Sequence, residues 1–184
     1  MRLSKKPEIL APGGDTLSIR AAIAAGADAV YLGYGSYNAR RNADCLSLKT
    51  LSELCLLAKS FNCKIYITLN TLLTENEISE AIIIGLEAIS SGADALIVQD
   101  YGLAYQLKQT AQDIPLHAST QCTTHNKAQI DFLAQYGFSR VNLCRELNLT
   151  EINELTQYAH TIGIETEVFV HGAYCVGFSG QCYM

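Results

Sequence analysis

The 184-residue chain has no apolar run long enough to span a bilayer. Its amino end, with Arg2, Lys5, Lys6 and then Pro7, leads into a strand instead of the apolar core of a secretory leader. Both absences point to a cytoplasmic protein with no membrane partner. An excess of positive charge is missing too: 13 Lys and Arg stand against 18 Asp and Glu, for a net charge of −5. No electrostatic footprint for nucleic acid covers the whole surface, so any RNA contact is local or made by other parts of the protein. Seven cysteines, an odd count scattered through apparent helices and strands, do not form a disulfide framework and read as reduced thiols with a few metal ligands among them. The Gly-x-Ser-x-Gly elbow, the Ser-His-Asp order and the His-Glu-x-x-His helix are all absent, which argues against a hydrolase built on Ser119 and His125 or on a catalytic zinc.

What is present is a repeat. At 49% hydrophobic, the chain can bury a sizeable core in one domain. Gly26-Ala27-Asp28-Ala29-Val30-Tyr31-Leu32-Gly33 returns as Gly92-Ala93-Asp94-Ala95-Leu96-Ile97-Val98 and, more loosely, as Gly137 to Leu143. Each copy opens on a Gly suited to the left-handed position after a helix and runs into an apolar strand, so each marks a helix-to-strand joint. Further strands are predicted at Glu8 to Ala11, Lys64 to Leu69, Leu116 to Ala118 and Glu165 to Val170, with helices at amphipathic spacing between them. Asp15, Asn126 and Thr150 are the predicted caps of three helices. Seven strands alternating with six helices favour an α/β fold, a (β/α)8 TIM-like barrel that stops after its seventh strand; an open doubly wound sheet is the alternative. On this reading residues 1–184 are one incomplete barrel domain, the front part of a longer protein, with two sheet edges unpaired.

Barrels of this kind build their sites from the carboxyl ends of the strands. There the chain places Gly13 and Gly14, then Asn38, Arg40 and Arg41, Asn70 and Thr71, Gln99 and Asp100, Ser119 to Gln121 with His125, and Arg145 with Glu146. Any one of these could be an ordinary cap or turn residue, and Arg145 with Glu146 could be a rim ion pair or an anion clamp. Cys45, Cys55, Cys63, Cys122 and Cys144 read as small core residues. Cys175 and Cys182 differ, because they flank a stretch with two glycines, Gly177 and Gly180, whose backbone could wrap a small inorganic centre. Thiolates select zinc or iron-sulfur clusters, and two of them complete neither site.

Glu167 to Cys175, with Phe169, His171 and Gly172 between them, followed by Gly180, Gln181, Cys182, Tyr183 and Met184, resembles the signature of the collagenase-like peptidases, peptidase family thirty-two of unknown catalytic type. Leu10 to Gly14, Gly26 to Gly33, Asn38 to Arg40, Asn70-Thr71, Ser119 to Gln121 and Arg145 to Leu147 are similar to phrases of the same family. The resemblance implies one of two activities. Some members are named proteases; others are oxygen-independent hydroxylases of a tRNA wobble uridine, an rRNA cytidine or a ubiquinone precursor. The hydroxylases hold an iron-sulfur cluster on four cysteines, the first two matching Cys175 and Cys182, with two more expected beyond residue 184 and a 4Fe-4S centre as the cofactor. For RNA the hydroxyl comes from prephenate. The expected catalytic set is Glu167, His171, Arg145 and Gln121, and the expected substrate-binding set is Arg40, Asn70, Gln99, Ser119 and Glu146. A protease, or a non-catalytic piece with a structural zinc, remains the alternative.

Overall fold

The computed structural model describes residues 6–39, 46–172 and 175–181. Among these residues seven strands form one sheet in the order of the sequence, every neighbouring pair parallel. They are β1 (Leu10–Gly13), β2 (Ala29–Gly33), β3 (Lys64–Leu69), β4 (Ala95–Val98), β5 (Leu116–Ala118), β6 (Phe138–Asn142) and β7 (Glu165–Glu167). Six helices alternate with them: α1 (Thr16–Ala24), α2 (Leu48–Ser60), α3 (Glu75–Ser90), α4 (Tyr101–Thr110), α5 (Lys127–Gln135) and α6 (Leu149–Thr161). The barrel reading holds, and the open doubly wound sheet, which needs a reversal of strand order, is excluded.

Strand alternation sorts side chains between two layers. Val30, Leu32, Ile65, Ile67, Leu69, Leu96, Val98, Leu116 and Val141 point outward and pack with Leu51, Leu54, Leu103, Leu107 and Leu133 of the helices. Ala29, Tyr66, Ala95 and Ile97 point inward, with Leu10 and Tyr31 beside them. The sheet curls around this inner layer. Five strand spacings separate β1 from β6, about 24 Å in a flat sheet, yet Arg140 of β6 donates to Glu8, just ahead of β1, at 2.6 Å.

The joints follow from local chemistry. Gly26 and Gly92 sit at φ 87° and 103°, which an L side chain rarely adopts, and so end α1 and α3 where the repeat placed them. Asp15 accepts from Ser18 N at 2.6 Å and Asn126 from Gln129 N at 2.9 Å, as predicted of caps. Two expectations are corrected. The cap of α6 is Asn148, not Thr150: its Oδ1 accepts from the amides of both Thr150 and Glu151, and the Glu151 carboxylate accepts from Asn148 N at 2.8 Å, so Thr150 lies inside the first turn. The last strand stops at Glu167 instead of running to Val170, because β6 supplies ladder partners only as far as Glu167 and no strand lies on the other edge among the described residues. Val168, Phe169 and Val170 are exposed there. Likewise β1 begins at Leu10, two residues later than expected, and takes in Gly13.

Candidate active site at the barrel mouth

The carboxyl ends of β2, β3 and β5 converge on one side chain, Gln121, which follows β5 in a short 3-10 turn over Thr120–Cys122. Its Oε1 accepts from Asn70 Nδ2 at 3.0 Å and from Ser119 Oγ at 3.4 Å. Asn70 reaches the other way as well, accepting from Ala39 N at 3.1 Å, so it ties the β2 loop to the β5 loop. Anchoring Oε1 fixes the amide of Gln121 in one orientation and leaves its Nε2 group as an uncommitted donor among the described residues. Ser119 is buried in this network; His125 is exposed, with its Nδ1 on the carbonyl of Thr123 at 2.6 Å, so the two do not act as a dyad. Gln99 is buried at the end of β4.

A second group holds down the loop that carries Cys175. Ser179 is fully buried in a left-handed conformation, φ 46°, that costs a non-Gly residue free energy. Glu146 compensates: its two carboxylate oxygens accept from Ser179 N at 2.7 Å and Ser179 Oγ at 2.5 Å. Burial works to raise the Glu146 pKa, and these bonds overcome it and lower it. Arg145 Nη2 donates to the carbonyl of Gly177 at 3.0 Å, while its Nε is buried without a partner. Gln181 Nε2 donates to Gln121 O at 2.7 Å and Thr123 Oγ1 at 2.9 Å, linking the loop to the amide network. Arg145 and Glu146 thus bond to the 177–179 loop and not to each other. Cys175, on that loop, is partly exposed. No group of three His, Cys, Asp or Glu side chains that could hold a metal ion comes together among the described residues. Arg40 and Cys182 lie outside the described residues, as does Cys45; His171 is exposed beyond the end of β7. Cys55, Cys63, Cys122 and Cys144 are buried, as expected of core residues.

Below the mouth lies a charged cluster that sequence reasoning missed. Arg140, 8% exposed, donates through Nε and Nη2 to Glu165, and through Nη1 to Glu8 at 2.6 Å and the Tyr66 hydroxyl at 3.3 Å. Burial tends to raise the Glu8 pKa, but bonds from Arg140, Lys64 and Tyr66 hold it down at about 2. His117 packs edge-on to Tyr66 at 4.7 Å, and burial, helped by nearby Arg140, pushes its pKa down to about 3. One layer nearer the mouth, Asn142 Nδ2 donates to Glu167 Oε1 at 2.7 Å. Arg140 and Asn142 share a face opposite Val141, and that two-residue alternation was the available signal. Which face of the strand is the barrel interior was the missing information.

Residues 14–184 match a known family, described as Peptidase family U32. The chain belongs to peptidase family U32. Among relatives of the U32 chain, the 23S rRNA 5-hydroxycytidine C2501 synthase of Escherichia coli (strain K12) is 42% identical over 181 residues, 98% of this chain and 27% of that protein. The tRNA hydroxylation protein P1 of Bacillus subtilis (strain 168) is 34% identical across 99% of this chain and 42% of its own length. A protein named Collagenase from Porphyromonas gingivalis is 30% identical across 96% of this chain and 44% of its own. The U32 chain thus spans between about a quarter and somewhat under half of the length of these relatives. The U32 peptidase Mk0906 superposes with a TM-score of 0.64 at 10% identity, covering 91% of this chain and 69% of that one, which supports the fold alone.

Proposed function

We propose that the U32 chain is the barrel portion of a cytoplasmic, oxygen-independent enzyme that hydroxylates a pyrimidine base of RNA, using an iron-sulfur cluster and prephenate as the hydroxyl source. The observation that carries this reading is the 42% identity over 98% of the chain to an rRNA 5-hydroxycytidine synthase. The mouth is chemically suited to it. Gln121, oriented by Asn70 and Ser119, offers an amide to a base edge, and Gln99 lies at the next strand end. Arg145, with its buried Nε unpaired, and Arg40 are the proposed partners of the carboxylates of prephenate. Glu146 holds the Cys175 loop, and His171 and Glu167 stand on the segment leading into it. Cys175 and Cys182 are the proposed ligands, and a bound cluster would supply one-electron chemistry there. A peptidase reading is less well supported, since Ser119 Oγ donates to Gln121 rather than to a histidine. The test is nucleoside mass spectrometry of rRNA and tRNA from cells lacking the gene: loss of a hydroxylated cytidine or uridine, restored by the wild type and not by Cys175→Ala, is the expected result. Full modification in the deletion strain would sink it.

A further inference from the structure

The cation nearest Glu167 is already committed elsewhere. Arg140 spends Nε and Nη2 on Glu165 and Nη1 on Glu8 and Tyr66, and stays 4.0 Å from Glu167 Oε2. Glu8 and Glu165 balance Arg140 and Lys64, which bonds Glu8 at 3.1 Å. An ionised Glu167, its side chain only 20% exposed, would be a surplus negative charge. A second, independent observation lies on Asn142. This residue is 7% exposed and gives Nδ2 to Glu167 Oε1 at 2.7 Å, while its own Oδ1 is buried without a partner. A carboxylate has no proton to offer that oxygen; a carboxylic acid does, and would add a second bond to make an acid-amide pair.

We propose that Glu167 stays protonated up to near-neutral pH, held by Asn142 as a positioning residue, so that the barrel mouth presents a neutral acid-amide pair to an anionic ligand. The charged groups facing it are Arg140 on β6, Glu165 on β7, Glu8 ahead of β1 and Lys64 at the start of β3. Helix α6 packs on the other face of β7, through the hydroxyls of Thr156 and Thr166 at 3.0 Å. Burial pushes the Glu167 pKa up to about 7, against the pull of Arg140, with Glu8 adding to the rise and the Asn142 amide opposing it. The choice of ligand, though not of the proton, rests on the proposed function.

The test is a carbon-13 NMR titration of the purified protein labelled on glutamate, with the Glu167 carboxyl assigned by its loss in Glu167→Gln. A midpoint near neutral is expected, and Asn142→Ala should move it down, because the proton that Glu167 gives to Asn142 Oδ1 then loses its acceptor; loss of the Nδ2 donation, which by itself favours the carboxylate, would move it up. A wild-type midpoint in the ordinary glutamate range, or a midpoint in Asn142→Ala that is unmoved or raised, overturns the proposal. Prephenate affinity, read by calorimetry, should fall about tenfold between about pH 6 and about pH 8 in the wild type and stay flat in Glu167→Gln, following the protonated fraction. A neutral midpoint with equal affinity at both pH values overturns the link to the ligand. A neutral midpoint with no prephenate binding at all keeps the proton on Glu167 and counts against the proposed hydroxyl source.

Discussion

At the scale of single residues, the barrel interior is decided by Arg140. It is the one buried cation among the described residues that serves two carboxylates, with Glu8 and Glu165 taking its guanidinium from opposite sides of the curled sheet. Replacing one partner of such a group leaves the other charges uncompensated in a low-dielectric site, so Arg140→Met should destabilise the fold by about 3–5 kcal/mol. The value should fall toward the lower end because Glu165 is 57% exposed and can rehydrate. Urea unfolding measures the loss, and adding Glu8→Gln should recover part of it; a loss in Arg140→Met below about 1 kcal/mol would mean that the cluster is not a stabilising unit.

At the scale of elements, the loop over 175–181 is held by side chains instead of by a strand ladder. Its buried Ser179 depends on both oxygens of Glu146, and Gly177 on Arg145. Glu146→Ala removes the acceptor for a buried amide and a buried hydroxyl at once, so the loop should open more often. The expected outcome is several-fold faster alkylation of Cys175 by iodoacetamide, read by mass spectrometry, with Glu146→Gln recovering part of the protection through its remaining oxygen. An unchanged rate in Glu146→Ala would show that the loop is held by something else. Buried Cys55, Cys63, Cys122 and Cys144 serve as internal controls.

At the scale of the whole molecule, titration of the interior sets how stability varies with pH. Glu8 has its folded pKa depressed from 4.5 to about 2, so its contribution is present above pH 4.5 and is lost as pH falls toward 2. His117, lowered from 6.5 to about 3, also makes the fold less stable as pH falls, since only the unfolded chain takes the proton between those values. Glu167 acts in the opposite sense: raised from 4.5 to about 7, it binds a proton more tightly when folded, so its contribution declines as pH rises through that window. Because His117 and Glu167 oppose each other, the wild-type curve alone does not separate them. The difference in unfolding free energy between Glu167→Gln and the wild type does, and should grow in favour of the variant by about 3 kcal/mol between pH 4.5 and 7. A difference that is flat with pH would contradict a raised Glu167 pKa.

The order and kind of the elements were legible in the sequence, because the Gly-Ala-Asp repeat, the apolar strands and the caps Asp15 and Asn126 act through neighbours a few residues away. The strand-end polar set was legible for the same reason, and Asn70, Ser119 and Gln121 do meet. Local signals fail where two residues compete for one role, as with Asn148 and Thr150, or where a strand needs a partner, as beyond Glu167. That Arg145 and Glu146 bond to a loop rather than to each other, and that Glu8, Arg140, Asn142 and Glu167 line one interior, was decided only by tertiary structure. Curling the sheet brings residues more than a hundred positions apart within hydrogen-bonding distance, and no periodicity along a strand carries that closure.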